Sequence, residues 1–391
     1  MSDVRLARVA LAHLAEPGRR DLGELVRRLG PVDAVRRLCT GRVPAALRQA
    51  TAARLAAADP WAVAEEALRR AGDVGARIVT PEDPEWPPQL GDLVRLSRSG
   101  SDTIARDTDP PQCLWLRGPL PLDEACERSV AIVGSRASTA YGAHVAAQLA
   151  YGLVERGWTV VSGGAFGIDA AAHRAALAAD GRTVAVLACG IDRAYPVTHT
   201  ALFQRIGEHG LLLTEWPPGA DPHRRRFLIR NRVIAALTRG TVLVEAGVRS
   251  GARFTLGRAR ALNRLVMAVP GPVTSAMSVG SHEELRVGGT ILVADADHVI
   301  DAVGSIGTDL APVRRAEPEP RDALTPLQRQ VLDGVRPRKL LTAEEIAAVV
   351  GVSTSDARRA LPSLELAGYV TAVGAAYRLW RKSDDKPPRL P

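Results

Sequence analysis

Two short stretches of the chain combine an apolar run, a turn of small residues and the start of a helix. They are AIVGSRASTAYG at residues 131–142 and VVSGGAFGIDAAAH at residues 160–173. Glycine lets an anion approach main-chain N–H groups, and the first turn of a helix adds partial positive charge. Each stretch is therefore a candidate phosphate cradle, although glycines that serve only a tight strand-to-helix turn give the same pattern.

The two stretches do not match the best-known nucleotide motifs. Neither contains the G-x-G-x-x-G dinucleotide pattern or the G-x-x-x-x-G-K-[ST] pattern of ATP-binding loops, so no cofactor is predicted. Four scattered cysteines, Cys39, Cys113, Cys126 and Cys189, lack companion histidines at metal-ligand spacing. No metal site is predicted either.

A third motif is rich in arginine. It comprises DPHRRRFLIRNRVIAAL at residues 221–237 and VEAGVRSGARFTLGRARALNR at residues 244–264. Residues 219–264 hold eleven arginines and two acidic residues, whereas the whole chain of 391 residues has a formal charge of +8. A run of charge often marks only a solvated surface. Here the run belongs to the same predicted sheet as the two turns, which favours one groove for a polyanion.

The elements that position these motifs change in character along the chain. Residues 1–80 show the apolar spacing of a helical domain, and residues 81–112 have the composition of a linker. Between residues 113 and 303, apolar runs alternate with helical stretches; the runs are CLWLRG, SVAIVGS, WTVVSGG, TVAVLACG, GLLLTEW, GTVLVEA, LVMAVPG and TILVAD. They predict the strands of a doubly wound, mostly parallel α/β sheet, which binds ligands at the carboxyl ends of its strands.

The last part of the chain predicts a small separate domain. Residues 304–322 read as a second linker, and residues 323–380 as three short helices and a hairpin, a winged-helix pattern with Thr342 and Ser353 as helix N-caps. Residues 381–391 are expected to form a tail. The sequence has no apolar segment of about 18 residues, so membrane insertion is not expected, and a reducing cytoplasm is the expected location.

Six pieces of the α/β region resemble one protein family. They are VGSRASTAYG, VSGGAFGIDAAAH, ACGIDRAYP, FLIRNRVIAAL, VEAGVRSGARFT and VMAVPGPV, in order between residues 130 and 273. They resemble the DNA-processing protein A family, also called DprA or Smf. The resemblance implies an extended Rossmann-like domain between an N-terminal helical domain of SAM or helix-hairpin-helix type and a C-terminal winged helix. It also implies a protein without catalytic activity that binds single-stranded DNA and loads the recombinase RecA in natural transformation or recombinational DNA processing.

The resemblance also implies site residues. By position, Arg136 and Arg224 resemble the phosphate-binding pocket of the family. With the two turns and the arginine run, the predicted phosphate ligands are Gly134, Ser135, Arg136, Ser162, Gly163, Gly164, Gly167, Arg224, Arg225, Arg230, Asn231, Arg232, Ser250 and Gly251. One departure is Val197, because many members have a basic residue after the preceding tyrosine-proline pair.

A segment near the end of the α/β region resembles the dimer contact of the family. In SHEELRVGGTILV, at residues 281–293, the predicted homodimer residues are His282, Leu285 and Ile291. Ordinary packing within one chain accounts for the same three residues equally well. The segment also carries charges where members are more apolar, at Glu283, Glu284 and Arg286.

Three other functions are alternatives to DNA binding. A hydrolytic triad of Ser162, Asp169 and His173 lacks the G-x-S-x-G elbow that exposes a nucleophile. A nucleotide phosphoribohydrolase has a similar fold, but its catalytic glutamate follows a late glycine turn, where this chain has Arg253 in EAGVRSGARFT. A winged-helix transcription regulator would read DNA through STSDARRALPSLELAGYV, which holds only two arginines beside acidic residues.

Overall fold

The structure is a computed structural model that describes residues 3–98, 107–305, 309 and 320–380. It divides the chain into two compact units, Met1–Pro312 and Val313–Pro391. The division falls within the segment 304–322 that was predicted as a linker. Most of that segment, and the whole predicted tail 381–391, lie outside the described residues.

Five helices open the first unit: α1 (Asp3–Leu14), α2 (Arg20–Leu29), α3 (Pro31–Cys39), α4 (Ala45–Ala57) and α5 (Pro60–Asp73). Proline begins α3 and α5, where its missing N–H costs no hydrogen bond. The inward residues of the bundle, such as Leu11 and Leu38, join Trp115 and Leu212 in one apolar core. The helices that were expected to form a domain of their own therefore pack directly on the α/β part.

Nine strands form one sheet: β1 (Arg77–Val79), β2 (Leu114–Arg117), β3 (Ser129–Val133), β4 (Thr159–Ser162), β5 (Thr183–Val186), β6 (Leu211–Thr214), β7 (Gly240–Leu243), β8 (Leu265–Ala268) and β9 (Thr290–Leu292). Their order is β1-β2-β6-β5-β4-β3-β7-β8-β9. Strands β3 to β9 are parallel, while β1 and β2 add antiparallel pairs at one edge. The predicted Rossmann-like α/β class is confirmed, and β2 to β9 are the eight predicted runs.

Helices cover both faces of this sheet: α6 (Leu93–Arg98), α7 (Leu122–Glu127), α8 (Ala140–Glu155), α9 (Ile168–Ala178), α10 (Thr200–His209), α11 (Arg224–Leu237), α12 (Ala252–Ala261), α13 (Val279–Arg286) and α14 (Ala296–Val303). In β3, Val130 and Ile132 pack in the core that holds α8 and α14, whereas Ala131 and Val133 pack in the core that holds α11 and α12. Because successive strand residues point to opposite faces, a strand buried on both faces is apolar throughout.

The segment predicted as the first linker, residues 81–112, differs from that expectation where it is described. A 3₁₀ helix at Pro88–Asp92 leads into α6, and Leu90 and Leu93 are fully buried in the sheet core. Despite its polar composition, the segment is therefore anchored to the sheet by buried leucines. Residues 99–106 lie outside the described residues.

The second unit has a short 3₁₀ helix at Pro320–Ala323, then α15 (Pro326–Gly334), β10 (Leu341–Thr342), α16 (Ala343–Val350), α17 (Thr354–Leu366), β11 (Val370–Val373) and β12 (Ala376–Leu379). The three strands form an antiparallel sheet in the order β10-β12-β11. Thr342 and Ser353 cap α16 and α17 through their side-chain oxygens, as predicted. Three helices and a terminal hairpin give this unit a winged-helix arrangement.

Two structural features are absent from the described residues. None of the helices within them is long and apolar enough to cross a membrane. In the same residues, no group of three or more histidine, cysteine, aspartate or glutamate side chains is arranged to hold a metal ion.

Candidate nucleic-acid interface

A groove of about 800 Å³ opens at the carboxyl ends of β4, β3 and β7, which are neighbours in the sheet. Because these strands are parallel, the turns that follow them meet at one edge. The predicted phosphate ligands that line the groove are Gly134, Ser135, Arg136, Arg224, Arg230, Asn231, Ser250 and Gly251. The remaining six are not among its lining residues: Ser162, Gly163, Gly164, Gly167, Arg225 and Arg232.

The turn after β3 forms one lip of the groove. Gly134 is required there because a Cβ atom would overlap Ile168. The Ser135 N–H donates to the Glu245 carbonyl at 2.7 Å, which ties this turn to the segment after β7. Arg136 is exposed at the turn, and its guanidinium carbon lies 5.0 Å from the centre of the Phe227 ring. The turn therefore presents a cation that is held in place by a ring.

The turn after β4, which was predicted as a second phosphate cradle, makes hydrogen bonds within the fold. The Gly163 and Ala165 N–H groups donate to Asp169 Oδ2 at 3.2 and 3.3 Å, so the anion in this turn is the protein's own carboxylate. The Ser162 hydroxyl is fully buried and donates to the Ile132 carbonyl at 2.6 Å. These groups already have partners within the fold.

The glycines of this turn serve close packing. A Cβ at Gly163 would overlap the Arg230 guanidinium, and one at Gly164 would overlap the Phe203 ring. Gly164 and Gly167 have φ angles of 68° and 74°, which side chains disfavour. These contacts and angles favour the tight-turn explanation for this motif.

The arginine run divides into groove residues and structural residues. Arg224 lines the groove, but Arg225 pairs with Asp107 at 2.6 Å and Arg226 pairs with Glu16 at 2.7 Å. Arg225, predicted as a phosphate ligand, thus has Asp107 as its partner in this structure and lies outside the groove lining.

Arg232, another predicted phosphate ligand, lies inside the molecule. Its side chain is 0% exposed, and its two terminal nitrogens donate to Glu215 at 2.6 and 2.8 Å. One of them also donates to the Asp109 carbonyl at 2.8 Å. No phosphate can reach this guanidinium while the pair is intact.

Arg230 forms the floor of the groove. It is 4% exposed, its Nη1 donates to the Val186 carbonyl at 2.6 Å, and its Nε has no hydrogen-bond partner among the described residues. Burial lowers the pKa of Arg230 to about 10, the nearby Asp169 carboxylate opposes this shift, and the Arg136 charge adds to it. Burial also raises the pKa of Asp169. Arg230 thus remains a cation at neutral pH in a place where an additional anion would stabilise it.

The segment after β7 forms the opposite wall. Ser250 and Gly251 line the groove there, together with Arg249 and Phe254. Four arginines and one carboxylate therefore line the groove: Arg136, Arg224, Arg230, Arg249 and Asp169. The positive excess matches a polyanionic ligand.

Sequence reasoning missed several lining residues, among them Tyr195, Phe227, Arg249, Phe254 and Met277. Arg249 belongs to the arginine-rich segment of residues 219–264, so its charge could have marked it as a groove residue. Met277 comes from a loop far along the chain, and no local pattern marks it.

Comparison with known proteins places this site in a family. The model of DNA recombination-mediator protein A matches residues 77–304. The chain belongs to this family. A relative named DprA from Mycobacterium tuberculosis is 47% identical over 378 residues, 95% of this chain and 93% of the relative. Protein Smf of Synechocystis is 30% identical over 325 residues, 75% of this chain and 78% of the relative.

A solved structure of the same family has the same architecture. The X-ray structure of DNA processing protein A (DprA) from Streptococcus pneumoniae is similar with a TM-score of 0.62 and 29% identity. The similarity covers 78% of this chain and 99% of that one. Membership of the recombination-mediator family identifies the chain as a DNA-processing protein of recombination or transformation.

The three dimer residues predicted from the DprA resemblance differ from one another in burial and contacts in this chain. His282 is partly buried, with Nε2 3.0 Å from the Gly271 carbonyl, and Leu285 packs against the sheet core. Ile291 lies on the edge strand β9 and is 37% exposed, beside Leu292 at 54%. Within this segment, the strand rather than the helix exposes apolar side chains.

Proposed function

We propose that the protein binds single-stranded DNA through its phosphates along this groove and promotes the loading of RecA on the bound strand. The observation that carries the proposal is the arginine-lined groove with Arg230 at its floor. A buried guanidinium whose Nε has no hydrogen-bond partner in the described part of the chain gains most from a charge-assisted hydrogen bond with an anion. Membership of the recombination-mediator family supports DNA as the source of that anion.

The depth of Arg230 favours a single strand over a duplex. With 4% of its surface exposed, Arg230 is reached only by a phosphate that enters the groove. A flexible single strand can lower one phosphate to that depth, whereas a duplex presents its phosphates on a stiff cylinder. The contacts are with phosphates, so little preference for sequence is expected.

We propose no catalytic activity for this site. Ser162 is fully buried, and His173 is buried with Nδ1 2.8 Å from Thr183 Oγ1, so neither is placed to attack a substrate. Burial lowers the pKa of His173 to about 3. At the turn where a phosphoribohydrolase has its glutamate, Arg253 pairs with Glu284 at 2.8 Å. Purified protein should turn over neither ATP nor nucleoside monophosphates.

A homodimer is part of the proposal, because two linked grooves would hold one strand with higher avidity. Its contact is proposed at β9 through Ile291 and Leu292. Ile291→Arg should yield a monomer in light scattering at micromolar concentration and weaken binding to long oligonucleotides. A cytoplasmic location follows from the proposed partners, DNA and RecA.

The decisive experiment is an electrophoretic shift with single-stranded and duplex DNA of equal length, followed by addition of RecA. Preferential shift of the single strand and faster RecA filament formation are expected. Tighter binding to the duplex would contradict the proposal.

Removing residues 320–380 tests the transcription-regulator alternative. A transcription regulator should lose its footprint on duplex DNA when these residues are removed, whereas the proposed single-strand-binding protein should not. Arg358 and Arg359 of α17 pair with Glu344 and Asp356, which argues against a DNA-reading helix.

A further inference from the structure

The wall of the groove that follows β7 ends in a largely exposed turn, residues 248–251, which we call the wall turn. It presents Arg249, one of the four arginines that line the groove. In the part of the chain that the structure describes, one hydrogen bond joins the wall turn to a charged side chain, from Arg253 Nη1 to the Val248 carbonyl at 2.9 Å. The position of the wall turn therefore depends on how Arg253 is held.

Glu284 on α13 holds Arg253. Its Oε1 accepts a hydrogen bond from Arg253 Nε at 2.8 Å, and the residue is 5% exposed. This hydrogen bond is the main cause that raises the pKa of Arg253. The adjacent Glu283 also pairs with Arg253, at 2.8 Å, but its side chain is 44% exposed, and exposed ion pairs contribute little. Glu284 is thus the stronger of the two partners.

The carboxylate of Glu284 is itself fixed at both oxygens. Its Oε2 accepts from Arg260 Nη2 at 2.9 Å, and the same nitrogen donates to Thr290 Oγ1 on β9 at 3.1 Å. Arg253 and Arg260 are two turns apart on one side of α12, so one carboxylate joins both turns. Burial opposes ionisation of Glu284, but hydrogen bonds from Arg260 and Arg253 lower its pKa. Glu284 is therefore an ionised, doubly held group at neutral pH.

Helix α13 is anchored to the same segment from which the wall turn emerges. The Gly280 N–H donates to the Ala246 carbonyl at 2.7 Å, and the Ala246 N–H donates to the Met277 carbonyl at 2.8 Å. A Cβ atom at Gly280 would overlap the Ala246 carbonyl oxygen, so the helix lies directly on this segment. Glu284 follows Gly280 by about one helical turn. Its carboxylate therefore has a fixed place relative to the base of the wall turn.

We propose that Glu284 is a positioning residue of the groove, which through Arg253 holds the wall turn so that Arg249 contacts a phosphate of the bound strand. The inference rests on the proposed function, and it gives a role to a charge in SHEELRVGGTILV, where the family is more apolar. The sign of the effect is diagnostic. Acting through its charge alone, a carboxylate repels phosphates, so its removal would strengthen binding. Acting as a positioning residue, its removal weakens binding.

The test compares two neighbouring glutamates. Glu284→Met and Glu283→Met each remove one negative charge and leave a side chain of similar length, so their general electrostatic effects match. Fluorescence anisotropy with a labelled single-stranded oligonucleotide measures the affinity. Glu284→Met should bind severalfold more weakly than the wild type, whereas Glu283→Met should bind at least as tightly. Equal or tighter binding by Glu284→Met would overturn the inference.

A second readout separates positioning from general destabilisation. In the wild type, Arg249→Ala should flatten the slope of log K against log salt by about 0.7, the contribution of one phosphate contact. Combined with Glu284→Met, the same replacement should flatten it by less than about half of that amount, because the contact is already weakened. Combined with Glu283→Met, it should keep the full effect. A folded protein that was merely less stable would also keep it.

Arg253→Met tests the same link from its other end. It removes the hydrogen bond to the Val248 carbonyl, so Arg249→Ala should again have little effect on the slope in this background. This variant decides the matter if circular dichroism shows that Glu284→Met does not fold. A full Arg249→Ala effect in both backgrounds would refute the positioning role. Failure of the proposed function is distinguishable, because the wild type itself would then show no effect of Arg249→Ala.

Discussion

The replacement Arg136→Ala tests whether the groove neutralises phosphates. Four arginines line the groove, and each phosphate neutralised on a single strand contributes roughly −0.7 to the slope of log K against log salt. The groove should therefore contribute a slope of about −2.8, and Arg136→Ala should reduce it to about −2.1. Between about 50 and about 200 mM salt, affinity should fall about 50-fold in the wild type and about 20-fold in the variant.

The measurement is a fluorescence anisotropy titration with one oligonucleotide at four or more salt concentrations. Arg225→Ala is the matched control, because it removes a neighbouring arginine that pairs with Asp107 and does not line the groove. Its slope should equal that of the wild type. The reasoning is refuted if Arg136→Ala leaves the slope unchanged, or if Arg225→Ala flattens it as much.

Three further predictions concern the fold around the groove. Arg232→Ala should lower the free energy of unfolding by about 3–5 kcal/mol in urea titrations, because it leaves Glu215 buried without a partner. Gly163→Ala should weaken DNA binding in an electrophoretic shift, since the added methyl group overlaps the Arg230 guanidinium. Burial opposes ionisation of Glu16, but hydrogen bonds from its arginine and tryptophan partners lower its pKa to about 2. Its ionised form therefore favours the folded state, and the wild type should lose this stability as pH falls from about 5 toward 2, whereas Glu16→Gln should show a weaker dependence.

Controls for these predictions come from exposed positions of the same chain. Arg36→Ala breaks an exposed pair with Asp33 and should cost less than about 1 kcal/mol. Gly257→Ala adds a methyl group on α12 that, apart from its chain neighbours and the backbone of its own helix, has no atom of the described residues within 4 Å, and should leave DNA binding unchanged. If Arg232→Ala proved as mild as Arg36→Ala, or if Glu16→Gln kept the full pH dependence, the burial arguments would be wrong.

The sheet could be predicted from the sequence because its strands are apolar on both faces. The eight runs that became β2 to β9 stand out against the helical stretches between them. Strand β1 could not be found in this way, since Arg77–Val79 is three residues long and begins with an arginine. Its place is determined by antiparallel pairing with β2, which is a tertiary property.

Only part of the site could be predicted, because the missing information is again tertiary. The sequence marks arginines and glycines, but it does not show which charge has a partner elsewhere in the fold. Arg224 and Arg225 are neighbours in the chain, yet only Arg225 meets Asp107, more than a hundred residues away. Likewise, Asp169 follows its glycine turn closely, but its hydrogen bonds to that turn depend on the geometry of the first turn of α9.

The apolar core shared by the N-terminal helices and the sheet limits where the chain can be divided. Without α1 to α5, the side of the sheet that carries Trp115 and Leu212 would face water. Glu16 would also no longer hold Arg226 at the start of α11. The helices therefore cover one face of the sheet as an integral part of the α/β unit, and they are not an accessory module. Any protein of this architecture that lacks them must cover the same face with other residues, so gain or loss of this segment requires compensating changes in the strands beneath it.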